Sequence, residues 1–339
     1  MHFARLPITR FILLGFILIV ISLAVFIVQK SQEVKWYPAG LAQQSLYHFT
    51  GGFSIESDAE IANATADGIQ ATLIYGYAPL PTDPVGQALI AHNMKLIDDM
   101  PEKYLYYYEC HIHNTCSAST YPELTSVQAL LTDVSNHLQQ AKNNPLIVGY
   151  WILDDWNFGD GTGKNLLIQI NNLIHRYTPG KPSICGFGGE IPPLPSNGGW
   201  DDQVTDNFSP QGCDMIGLYI YAYKGSTGTY DWRMSNILPA AFASFKKRGW
   251  DSTKEPLVGI PQAFGGIVEG ESWPVPDANA VETQTKTYCQ QGAIGIIFYD
   301  WDPSAQSPIT NSQITQGIKS GIADCQAIWN GARHLGIRN

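Results

Sequence analysis

The apolar run at 146–153, LIVGYWIL, leads directly into Asp154, Asp155 and Trp156. Two adjacent carboxylates at the end of a buried run can do acid/base work, or cap the loop or helix that follows; we expect at least one of them to be catalytic or to touch a ligand. Glu109, Glu190, Asp300 and Asp302 stand in comparable places, beyond other apolar runs, together with His48, Tyr75, Tyr77, Tyr219, Tyr221, Gln262 and Trp301. Carboxylates suit proton transfer, and aromatic faces stack on the apolar faces of sugar rings. Lys and Arg, which a phosphate site needs, are nearly absent from this set.

Two other patterns invite chemistry. His111-x-His113 places two imidazoles on one face if the segment is a strand, as some metal-dependent hydrolases do, but no further His follows strands five or six. Residues 159–165, GDGTGKN, resemble a P-loop, yet the first required Gly is Phe158 and the final Ser/Thr is Asn165. Neither a metal nor a cofactor is implied.

Positioning such a ring requires many strand ends on one face. Apolar runs bounded by Gly, Pro and polar clusters alternate with amphipathic stretches, the signature of parallel βα units. The expected strands are 46–49, 71–77, 104–109, 146–154, 183–187, 215–221, 257–262 and 294–299, each apolar on both faces. Helical marks lie between them: a capping box at Ser57-Asp58-Ala59-Glu60, helical spacing over 122–144 and 164–176, and helices over 274–291 and 313–329. A helix near 232–248 should start late or kink at Pro239. Eight units predict an α/β chain folded as a (β/α)8 TIM barrel, with its active site at the strand C-termini. A doubly wound sheet is the rival, but 50–53, TGGF, lacks its Gly-rich phosphate turn.

Composition agrees with a globular enzyme-sized chain: 339 residues, 44% apolar and only 15% charged. A net charge of -10 argues against nucleic acid or anionic lipid as general partners. Residues 11–28 form an uncharged apolar run preceded by Arg5 and Arg10, long enough to span a bilayer. It ends in Phe26-Ile27-Val28 without the small-residue pattern of a cleavage site, so an uncleaved signal anchor is expected over a removed signal peptide. All six cysteines follow it. Beyond an export signal an even count suits disulfides: Cys110 with Cys116, and in the simplest of several possible connectivities Cys185 with Cys213 and Cys289 with Cys325. Zinc is the alternative, and no C-x-x-C supports it.

Three segments together are similar to a poorly characterised branch of the large clan of (β/α)8 glycoside hydrolases. Residues 146–156, LIVGYWILDDW, resemble its fourth strand, G-W-Y-x-x-D-E-P. Residues 259–266, GIPQAFGG, followed by WPVPD at 273–277, are similar to its Q-A-F-G and W-P-T-P-E-E. Residues 292–301, GAIGIIFYDW, match its G-A-x-G-I-x-F-Y-x-W. The resemblance implies a general acid at Asp155, where the family has Glu, preceded by Asp154. It further implies a sugar-stacking platform at Trp301 and hydroxyl contacts from Tyr221 and Gln262. Two departures stand out. Asp155 is one methylene shorter than Glu, and Gln262 stands where the clan generally ends strand seven with a glutamate nucleophile. An amide cannot be that nucleophile, so the second carboxylate must come from Asp300, Glu190 or Glu109, in that order.

The expected organisation is therefore a membrane anchor over 1–30, a linker over 31–44, a glycoside hydrolase-like barrel over 45–332 and a tail over 333–339. The barrel would stand outside the cytoplasm and hydrolyse or bind an oligo- or polysaccharide, with Trp156, Asp302 and His48 as further ligand contacts. A non-catalytic carbohydrate-binding barrel and a metal-dependent hydrolase using His111 and His113 are the alternatives.

Overall fold

The structure is a computed structural model describing residues 48–115, 120–156, 158, 161–188, 204–221, 230–268, 271–301, 303 and 305–334. The expected anchor, linker and tail end, together with Cys116, Glu190 and Asp302, lie outside the described residues. No helix among those described is long and apolar enough to cross a membrane.

Eight parallel strands close into a barrel: β1 (Phe49–Phe53), β2 (Ala71–Leu73), β3 (Lys95–Asp98), β4 (Ile147–Leu153), β5 (Ser183–Phe187), β6 (Met215–Tyr219), β7 (Leu257–Ile260) and, after an antiparallel hairpin of β8 (Gly266–Val268) and β9 (Glu271–Trp273), β10 (Gly295–Phe298). The seam closes where β1 pairs with β10, Phe49 opposite Gly295. Helices α1 (Asp58–Ala66), α2 (Pro84–Ala91), α3 (Met100–His113), α4 (Val127–Ala141), α5 (Gly163–Tyr177), α6 (Tyr230–Lys247), α7 (Ala278–Gln290) and α8 (Ser312–His334) lie between and after them.

The strands carry apolar residues on both faces because both faces are buried. Phe53, Leu73, Ile97, Trp151, Tyr219, Ile260 and Ile297 fill the interior, while Tyr150, Ile152, Leu218 and Phe298 pack outward under the helices. Room for the Trp151 indole comes from Gly186, where a Cβ would stand 2.5 Å from the ring. The capping box at Ser57 forms as expected, with the Ser57 hydroxyl accepting from the Glu60 N–H and Glu60 accepting from the Ser57 N–H. Among the described residues two disulfides form, Cys185–Cys213 between β5 and the turn before β6, and Cys289–Cys325 between α7 and α8. They indicate an oxidising environment.

Two expectations fail. The third barrel strand is 95–98, and the aromatic stretch 104–109 expected to form it lies inside α3. Pro101 in the first turn starts that helix, where its missing N–H costs nothing. Aromatic β-propensity is overridden because Leu105 and Tyr108, one helical turn apart, both bury. The first strand starts at Phe49 instead of ending there. Helix α6 already starts at Tyr230 and runs through Pro239, so the late-start form of that expectation does not occur.

Candidate functional site

At the C-terminal mouth, Asp154 leaves β4 pointing at two phenols. Its Oδ2 accepts from Tyr75 Oη at 3.1 Å, beyond β2, and its Oδ1 from Tyr219 Oη at 2.5 Å, the last residue of β6. The Asp155 N–H adds a third donor to Oδ1 at 3.0 Å. Burial raises the Asp154 pKa and outweighs the lowering by these three donors. Burial and the neighbouring Asp154 charge hold both phenols well above their ordinary value, so they stay protonated donors. Asp154 is thereby a fixed anchor, and Asp155, partly exposed, follows it on the same turn.

Tyr221 completes the floor. Its ring stacks on Tyr299 at 5.7 Å and meets Tyr219 edge-on at 5.4 Å. It is only 4% exposed, and its hydroxyl has no hydrogen-bond partner among the described residues. Burial raises its pKa most, followed by the charges of Tyr299, Asp155, Asp154 and Asp300, so all three aspartates act electrostatically on that phenol. Asp300 is buried, and the Tyr299–Asp300 peptide is cis.

A second acidic group, absent from the sequence-based ring, follows the relocated β3. Asp98 accepts from the Met100 N–H and pairs with His137 of α4 at 2.7 Å. Asp99 accepts from the Gly76 N–H at 2.8 and 3.1 Å, and burial pushes its pKa up to about 7. Glu102, buried, accepts from Trp156 Nε1 at 2.8 Å; burial and then Asp154 push it up to about 8. The available signal was the sequence Asp-Asp-Met-Pro at 98–101, a strand end followed by a proline-led helix start. Trp156 is held at its other end as well, its carbonyl accepting from Asn207 Nδ2 at 2.9 Å.

Other expected site residues are placed elsewhere. His48 precedes β1, at the opposite end of the barrel, because β1 starts later than expected; its ring stacks on Trp329 of α8 at 4.9 Å. Glu109 lies inside α3, nine residues beyond its start at Met100, not at a strand end, and faces His113 at 3.0 Å. On a helix His111 and His113 are about 200° apart around the axis, so the shared strand face does not exist. His111 Nε2 contacts the Thr120 carbonyl instead. No cluster of three or more metal-ligating side chains occurs among the described residues.

Trp301 is 2% exposed, its ring lying against the Cα of Gly52, where a Cβ would stand 2.5 Å away. Gln262 is fully buried and donates through Nε2 to the carbonyls of Phe264 (3.0 Å) and Pro274 (3.1 Å), so its amide secures the β8–β9 hairpin.

No protein-family model matches the sequence, and no curated protein does. Solved structures do match. A β-galactosidase of the psychrophilic Marinomonas ef1 has a TM-score of 0.51 at 8% identity, over 86% of this chain and 61% of that one. A β-glucuronidase of Lactobacillus rhamnosus has 0.50 at 13% identity, over 75% and 43%. A GH18 chitinase of Pseudoalteromonas aurantia has 0.49 at 14% identity, over 82% and 99%. At such identities the likeness concerns the fold: this chain has a closed (β/α)8 barrel of the glycoside hydrolase-like kind.

Proposed function

We propose that the barrel, outside the cytoplasm behind an anchor at 1–30 and a linker at 31–44, hydrolyses an oligo- or polysaccharide at its C-terminal mouth. The barrel domain would end near 332, with 333–339 as a tail. The observation that carries this reading is the Asp154 anchor. It aligns two phenols and sets the partly exposed Asp155 beside them, and the ring of one of them, Tyr219, meets Tyr221, whose buried hydroxyl no group among the described residues satisfies. A buried unpaired hydroxyl costs about 1–3 kcal/mol, and a ligand oxygen would satisfy it. Asp155 then protonates the leaving oxygen, and Asp300 is the second carboxylate, with Glu190 as its alternate. Trp156 is the stacking ring, with Asp302 as a further ligand contact. The disulfides favour placement in an oxidising compartment.

Gln262, whose amide is committed to two carbonyls, supports a second reading: a barrel that binds a glycan without cleaving it. A glycan panel assayed with wild type and Asp155→Asn separates the two. Hydrolysis lost in Asp155→Asn, with an unchanged melting temperature, supports the first. Unchanged turnover removes Asp155 from the mechanism, and binding without any cleavage favours the second.

A further inference from the structure

We propose that the α3 side of the mouth is a subsite for a sugar carrying an anionic substituent, a carboxylate or a sulfate ester, with Lys103 as its ionic contact and Tyr106 and Trp156 as its stacking faces. This rests on the reading of the mouth as a carbohydrate site.

Lys103 lies on the first turn of α3, its Nζ 5.7 Å from the Tyr106 ring centroid and 5.8 Å from that of Tyr107. Its stem crosses Gly76, where a Cβ would stand 3.2 Å from Cε. Among the described residues its ammonium makes no ion pair and no hydrogen bond. Lys254, Lys286 and Lys319 behave otherwise, each reaching a carboxylate at 3.3, 2.9 and 2.8 Å. Carboxylates do stand near Lys103, but their acceptors are engaged elsewhere. Both Asp99 oxygens take the Gly76 N–H, Glu102 Oε1 takes the Trp156 indole, and Asp154 takes Tyr75, Tyr219 and the Asp155 N–H. Asp99 and Glu102 are also neutral in mild acid. Lys103 is therefore a half-buried cation held on two aromatic faces, within electrostatic reach of Asp99, Glu102 and Asp154 but with no ion pair or hydrogen bond among the described residues.

The rings beside it are accessible and ordered. Tyr106 is 42% exposed and meets Trp156 edge-on at 6.0 Å. Trp156 is fixed by Glu102 and Asn207, so stacking a sugar on it costs little further ordering. A carboxylate or sulfate on the stacked sugar would give Lys103 a charge-assisted hydrogen bond. Trp156 directly follows Asp155, which puts this sugar next to the bond being broken.

Calorimetric titration of the full chain at pH 6 with neutral, uronate and sulfated oligosaccharides of matched length tests the proposal. One anionic series should bind at least about tenfold tighter than the neutral one, and the margin should shrink with salt. Lys103→Met should bring the series within about twofold, Lys103→Arg should keep most of the preference, and Tyr106→Ala should weaken all series alike. Whether the uronate or the sulfate ester is preferred identifies the substituent. Equal binding of neutral and anionic sugars by wild type, or a preference that survives Lys103→Met, overturns the subsite. Cleavage of neutral glycans without charge preference would overturn it while sparing the proposed function. Binding of no glycan of any charge would overturn both.

Discussion

Trp156 and Glu102, which come from the loop after β4 and the first turn of α3, meet through a 2.8 Å bond from the indole N–H to a buried carboxyl oxygen. That bond joins the loop carrying Asp155 to the helix after β3, two segments 54 residues apart. Glu102→Ala leaves the indole N–H unpaired in a buried site and should cost about 1–3 kcal/mol. Glu102→Gln keeps an acceptor and should cost less. Denaturant melts followed by tryptophan fluorescence would show it; equal losses in both variants would mean that packing, not the hydrogen bond, holds the loop.

The same carboxyl sets a pH dependence. Its pKa is raised from 4.5 to about 8 in the fold, so the folded state binds the proton more tightly than the unfolded chain. The resulting stabilisation is full below about 4.5 and is lost as pH rises through about 8. Asp99, raised from 3.8 to about 7, acts in the same direction. His175 and His137 reinforce it: burial lowers each pKa, but the bonds to Asp214 and Asp98 more than offset that and leave both raised above 6.5. Unfolding free energy should therefore fall between mildly acidic and mildly alkaline pH, and Glu102→Gln should flatten the slope. A stability that rises over that range would contradict the assignment.

Removing the phenol donors tests the Asp154 anchor. Tyr219→Phe deletes its 2.5 Å bond, and Tyr75→Phe the 3.1 Å one. Hydrogen bonds to charged groups contribute about 1.5–3 kcal/mol, and a displacement of about 1 Å at a reacting centre can cost about 100-fold in rate. On a cleaved glycan, Tyr219→Phe should lower kcat toward that extent with KM little changed. A change confined to KM would make Tyr219 a substrate contact instead.

Gly52→Ala probes Trp301. A Cβ there would stand 2.5 Å from the Trp301 ring and 2.8 Å from Ile55 Cδ1. Overpacking of this kind costs about 1–3 kcal/mol. The melting temperature should drop, and glycan affinity should hold if Trp301 serves the core. A large affinity loss at unchanged stability would restore Trp301 as a platform.

Most of the barrel was legible because its strands are buried on both faces and leave continuous apolar runs; β5 falls on its expected residues, 183–187. The third strand was not. Its four residues, KLID, carry one charge at each end, while the tyrosines that follow look more like a strand than the strand itself. That slip hid Asp99, Glu102 and Lys103 and promoted Glu109. Asp154 and Asp155 were legible as a pair from the strand end alone, but the role of Asp154 as the anchor depends on Tyr75 and Tyr219, 79 and 65 residues distant from it. Trp301 and Gln262 show the converse limit: position at a strand end does not say whether a side chain faces the cavity or the wall.

The pairing of Phe49 with Gly295 at the seam has a consequence for biogenesis. The first barrel strand to be synthesised must wait for the last before its second edge is covered, and α8 can cross-link to α7 through Cys325 only after that. Until then the nascent barrel is an open sheet with two unpaired edges, the form most prone to join a neighbour. A chain that stalls or is truncated before β10 would stay in that sticky state, which makes the stretch from Gly295 onward the segment on which chaperone demand and proteolytic survival should depend.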